Sequence, residues 1–338
     1  MNMLSFLFGA PIRAQRAATG LKAHKDDLPR LQAYYDTEIA PLSRKFENQR
    51  IRALKQARQR IYLGLGVFLA LLIACLPLIK PGAQFVPFSW IAAVGIAFLI
   101  WRWASSPMRQ YTGAVQSEIY PRIFRFFGPD FVFAKRQDMG IRMFKEAKIL
   151  PSYDKARFDD CVLGSYLGVS IGINEVHLLR EERDKDKNRD VTVFRGLFIS
   201  LSSHKAFRGH TVAIRSRGSL TNFFSDSHGG LERVHLEDPQ FEKMFDVFST
   251  DQIEARVLLT TAFMERLMAL AQFFSSRIQC AFHRDRLLIT IESSQNRFEQ
   301  SSIFSAATFE DEFGRIHGEM KQLFAIIELL KLNEYTGL

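Results

Sequence analysis

Cysteine is scarce in this chain: Cys75, Cys161 and Cys280 are the three in 338 residues. Thiols so few and so far apart neither staple a small scaffold nor sit at zinc-ligand spacing, so buried, reduced cysteines and no metal site are expected. The eight histidines form no HExxH pair. There is no GxxxxGK[ST], no GxSxG elbow and no kinase signature set, and Gly164, Gly168 and Gly172 are spaced by four, which does not match GxGxxG. On these grounds no catalytic, cofactor-binding or metal-ligating residue is assigned. Disorder is excluded by a chain that is 47% hydrophobic and 12% aromatic.

A basic surplus is missing from the second part of the chain. Up to residue 110 there are 15 Lys/Arg against 5 Asp/Glu, and beyond it 30 against 31, so the whole net charge of +9 is N-terminal. A nucleic-acid binder carries its cations on the folded domain, and no nucleic-acid partner is expected. The surplus instead clusters as Arg44, Lys45, Arg50, Arg52, Lys55, Arg58 and Arg60, directly before an apolar run.

Charge is absent altogether from that run, 61–79, and nearly so from 85–103, which meets only Arg102. Nineteen helical residues extend about 28 Å, the thickness of a bilayer core. Five residues separate the runs, and all three tryptophans fall in the second. The pattern predicts a transmembrane hairpin over 61–103, with spans 61–79 and 85–103. Lipid would be a partner, Arg58, Arg60, Trp90, Trp101 and Trp103 interfacial anchors, and Gly66, Ala70, Ala93 and Ala97 close-packing positions. The distribution of Lys and Arg predicts an inner-membrane protein, multi-pass, with both termini cytoplasmic.

Around the hairpin the expected organisation is a cytoplasmic amphipathic helical segment over 1–60, a helical stalk over 104–150 and a cytoplasmic α+β domain over 151–338. Leu28, Leu31, Tyr35, Ile39, Leu42 and Phe46 recur at helical spacing, with Pro41 placed to kink the helix. Strand texture follows at 169–173, 176–180, 191–202 and 211–215, with the charged run 181–190 as a solvated hairpin tip. Ser249 and Gln252 have capping-box spacing ahead of an amphipathic helix. A hairpin turning at Arg284 and Asp285 and a final helix complete the domain. The expected fold class is α+β: a two-helix transmembrane hairpin plus a cytoplasmic antiparallel-sheet domain with long amphipathic helices.

DDCVLGSYLG from Asp159, NEVHLL from Asn174, FRGLFISLSSHKAFRGHTVAI from Phe194 and FEKMFDVFSTDQIEARVLLTTAFMERL from Phe241 together resemble a bacterial membrane-protein family known as domain of unknown function 3137. The resemblance implies two membrane helices ahead of the domain. It brings no catalytic or binding residue with it.

The function expected is therefore a non-catalytic scaffold, or a partner- or ligand-binding protein, with an unknown protein partner or a second copy of the chain as candidates and no cofactor. One competing expectation is a membrane-bound hydrolase or transferase using Asp251, Glu254 and His283; another is an oligomeric transport component. The cluster Ser225–His228 reads as a solvated turn. A deep polar pocket favours the enzyme, and an apolar surface patch favours the scaffold.

Overall fold

The computed structural model describes residues 6–7, 11–12, 21, 27–75, 86–184, 187–204, 206–215, 230–293 and 303–329. Internal contacts divide the chain into two units, 1–123 with 300–317 and 124–299 with 318–338.

The first unit is helical. Helix α1 (Leu28–Tyr34) passes through a π turn (Tyr35–Ile39) into α2 (Ala40–Cys75). Pro41 has no amide hydrogen to give the preceding turn, and the wider π turn lies directly ahead of it. The inward stripe holds Leu31, Tyr35, Ile39, Phe46, Leu54 and Ala57, all buried at helical spacing. Arg50 departs from its place in the basic cluster: it is 1% exposed. Its Nε and Nη2 donate to the two Glu47 carboxylate oxygens at 2.8 and 2.6 Å, and its Nη1 donates to the Ile303 carbonyl at 3.1 Å. Glu47 Oε2 also accepts from the Ala307 amide at 3.0 Å, so one carboxylate fixes both a buried cation and the segment beside it.

After α2 come α3 (Val86–Ala104) and α4 (Ser106–Arg125). The expected transmembrane hairpin is corrected here. Among the described residues no helix is long and apolar enough to cross a membrane. The apolar part of α2 within them, 61–75, extends about 22 Å, and the charge-free part of α3, 86–101, about 24 Å, against a core of about 30 Å. The multi-pass inner-membrane placement falls with the hairpin. Expected span residues 76–85 lie outside the described residues. The two helices still expose large apolar side chains, Leu63, Ile73, Val94 and Leu99 each by more than 60%.

The second unit is built on an antiparallel sheet with strand order β1-β2-β3-β4-β9-β8-β5-β7-β6. The strands are β1 (Val132–Lys135), β2 (Lys155–Tyr166), β3 (Val169–Asp184), β4 (Lys187–Ser202), β5 (Thr211–Arg215), β6 (Glu232–Val234), β7 (Phe245–Ser249), β8 (Ile278–His283) and β9 (Arg286–Glu292). Helix α5 (Ile141–Glu146) follows β1, α6 (Pro239–Met244) precedes β7, and α7 (Gln252–Leu258) and α8 (Thr261–Phe273) follow it. Helix α9 (Glu310–Leu329) comes last, with residues in each unit. The α+β expectation stands for this sheet and its helices.

Alternation divides the sheet into two buried faces. One carries Val176, Leu178, Phe194, Phe198, Val212, Ile214, Ala281 and Leu288 packed on Phe144 of α5. The opposite face carries Ile173, Leu197, Ile199, Ile289 and Ile291, also buried. Phe263 of α8 meets Phe282 at 5.4 Å, and Phe324 of α9 stacks on Tyr166 at 3.9 Å. The two strands expected at 169–173 and 176–180 are one strand, β3. The charged run 181–190 is the solvated hairpin end expected: its described side chains are exposed and its ladder continues the β3–β4 pairing, with Glu182 opposite Arg189. Glu181 and Asp190 are like charges face to face, and Lys155 bridges them at 2.6 and 3.0 Å.

The buried Glu47–Arg50 pair sets a prediction. Glu47→Ala removes the carboxylate from a guanidinium that water cannot reach, and urea unfolding should show a loss of about 3–5 kcal/mol. Glu47→Ala combined with Arg50→Met should lose clearly less, since no uncompensated charge is left buried.

Candidate functional site

A cleft of about 270 Å³ opens on the sheet where β2, β3 and β4 run side by side. Register builds it. Arg157 of β2 lies directly opposite His177 of β3, and His177 lies directly opposite Arg195 of β4, so three side chains from three strands form one row across one face. Arg136, just after β1, adds a third guanidinium, held in place by its amide bond to the Asp159 carbonyl at 2.6 Å. Asp159 and the buried Glu175 supply two carboxylates to the same walls.

The far wall depends on Gly196. A Cβ there would lie 1.9 Å from the Ile291 carbonyl oxygen of β9, so no other residue lets the strands approach this closely. That approach sets the Ser293 amide on the Arg195 carbonyl at 2.7 Å, closing the cleft behind the arginine.

The electrostatics are lopsided. Arg157 reaches Asp190 only at 4.0 Å, and Arg136 and Arg195 form no ion pair among the described residues. Desolvation, then Arg195 and Arg157, hold the His177 pKa below its usual 6.5, so the imidazole is neutral at pH 7. Its Nε2 lies 2.8 Å from Thr192 Oγ1, and no carboxylate hydrogen-bonds its other nitrogen among the described residues.

The residues nominated for an enzyme gather elsewhere, around 208–210, but the carboxylates are occupied structurally. Asp251 caps α7, its carboxylate accepting from the Ile253 and Glu254 amides at 3.0 Å each. Ser249, the expected cap, instead belongs to β7 and lies 2.8 Å from Thr211 Oγ1. Glu254 accepts from the amides of Arg208 and Gly209 at 2.8 and 2.5 Å. The DQIEAR segment is thus a cap plus a clamp on the RGH turn. His283 does come close to His210, their rings 4.7 Å apart, beside the Ala147 carbonyl that lies 3.1 Å from His210 Nε2. Burial pushes the Cys161 thiol up to about 11 and the Cys280 thiol up to about 12, so these two stay protonated at pH 7. The Ser225–His228 cluster lies outside the described residues.

Gly64 is the close-packing glycine of α2 and α3, since a Cβ there would lie 2.3 Å from Ile100 Cγ2; Gly66 faces open space. Ala70 and Ala97 are exposed and Ala93 half-buried. Arg60 bonds Ser106 Oγ at 2.7 Å and lies over the Trp103 ring at 5.1 Å, while Arg58 is half-buried and Trp101 half-exposed. The Trp90 side chain lies outside the described residues. The sequence reading missed the cleft. Its one local signal is the polar pair Glu175 and His177 between the buried Ile173 and Leu179 on one face of β3.

Burial, then the neighbouring His283, lower the His210 pKa to about 4 from 6.5. The unfolded chain therefore binds the proton first as pH falls, and stability that is complete above pH 6.5 is lost on the way down to pH 4. Partial exposure limits the loss to on the order of 1–2 kcal/mol. Urea unfolding between pH 7.5 and 4 should show that slope flattened in His210→Gln.

Comparison with known proteins finds a family model over part of the chain. Residues 192–332 match the model described as protein of unknown function (DUF3137), the family that the sequence resembles; the resembling stretch 159–191 lies outside the match. No curated protein matches. Among solved structures, the crystal structure of the mycobacterial trehalose monomycolate transport factor A, TtfA, is similar at 10% identity and a TM-score of 0.34, over 60% of this chain and 86% of that one. A likeness that loose carries no weight here.

Proposed function

We propose that this chain, whose residues 192–332 carry the DUF3137 pattern, is a non-catalytic binding protein that receives a small ligand in the β2–β3–β4 cleft. One observation carries the reading. The cleft offers two guanidinium groups, Arg136 and Arg195, that form no ion pair among the described residues and can hold a ligand, while the acids of the DQIEAR segment are engaged by backbone amides. The Cys161 and Cys280 thiols are buried and protonated at pH 7. The exposed apolar face of α2 and α3 is the second surface of the scaffold, fitted to association with an apolar partner or a second copy of the chain.

The 2.8 Å approach of His177 to Thr192 supports a second reading, a hydroxyl nucleophile with a histidine base. It is the weaker one, because no carboxylate orients the imidazole among the described residues and two guanidiniums reduce its basicity.

Incubation of the full chain with a panel of esters and anionic metabolites, followed by mass spectrometry, separates the two. Retained compounds should be recovered unaltered, and Thr192→Val should leave retention intact. Conversion of any of them that Thr192→Val abolishes would replace the binding reading with the hydrolase.

A further inference from the structure

Three guanidiniums approach one small space from different elements: Arg136 from beyond β1, Arg157 from β2 and Arg195 from β4. Cross-strand pairing puts His177 between Arg157 and Arg195, so these two stand two strands apart, roughly 10 Å at the backbone, on either side of the imidazole, and all three line the cleft. A flat carboxylate is satisfied by one guanidinium fork. Cations arriving from three sides suit a tetrahedral group with several oxygens.

The carboxylates of the same cleft narrow the choice. Asp159 and Glu175 would repel a continuous polyanion and offer acceptors to hydroxyl or amino donors. The cleft is small, about 270 Å³, below the size of sites that hold dinucleotide cofactors. His177, neutral between two cations, adds a ring nitrogen that can exchange a hydrogen bond with the ligand.

We propose that the cleft bounded by Arg136, Arg157, His177 and Arg195 binds a phosphate monoester of a small polyhydroxy or amino compound, the phosphoryl oxygens on the guanidiniums and the hydroxyl or amino donors on Glu175 and Asp159. This rests on the binding reading above and gives it a ligand class.

Calorimetric titration of the full chain tests it, with glucose 6-phosphate, inorganic phosphate and glucose as probes. Glucose 6-phosphate should bind saturably and more tightly than inorganic phosphate, and glucose should not bind. Arg157→Gln and Arg195→Gln should each weaken the ester by roughly tenfold or more, as expected for loss of a charged donor. Arg208→Gln, a cation outside the cleft, should change nothing. Asp159→Asn, at an exposed site that keeps the fold, should remove the preference of the ester over inorganic phosphate. Absence of saturable binding, or equal binding by the Arg157 and Arg195 variants with an unchanged circular dichroism spectrum, would overturn the ligand class. Inorganic phosphate released from the ester in the same cell would instead overturn the non-catalytic reading beneath it.

Discussion

The sheet of the second unit is joined at a single seam. Strands β1 to β4 pair in chain order, and β5 to β9 form the other part, so continuity between them depends on β4 pairing with β9 from Gly196–Glu292 to Ser202–Arg286. Gly196 permits that pairing, because any side chain there would enter the Ile291 carbonyl. The same position lines the cleft and brings Ser293 onto Arg195. Packing follows from the join as well: Leu288 of β9 shares a buried cluster with Val176 and Phe198, a contact that exists only while the two parts are in register.

Much of this was legible in the residues and part was not. Helical stripes such as Leu31, Tyr35, Ile39 and Phe46 were readable because burial on one helix face leaves a period in the sequence. The hairpin turning at Arg284 and Asp285 was readable for the same local reason. The charged run at 181–190 was readable as a solvated hairpin end, whereas its relief by Lys155, a residue from another strand, was not. The capping position was misplaced by two residues, since Ser249 and Asp251 both suit a cap and only the end of β7 decides between them. The apolar runs at 61–79 and 85–103 were plain to see. Their reading as membrane spans took the whole runs as helix, whereas the described helical parts are shorter than a bilayer core.

The cleft was invisible for a physical reason. Arg157, His177 and Arg195 are separated by 20 and 18 residues, and nothing local marks them as neighbours; register alone aligns them. The opposite holds for DQIEAR, a conspicuous motif whose polar atoms are consumed by an N-cap and two backbone amides. A motif's visibility in sequence thus reported a folding constraint, and the candidate binding chemistry arose from pairing over distance.

Amide hydrogen exchange in Gly196→Ala tests the seam most directly. If the join depends on this close approach, protection should fall together on the amides of β4 and β9 while β2 and β7 stay closer to their original rates. Unchanged protection at Leu197, Ile289 and Ile291 in that variant would contradict the account.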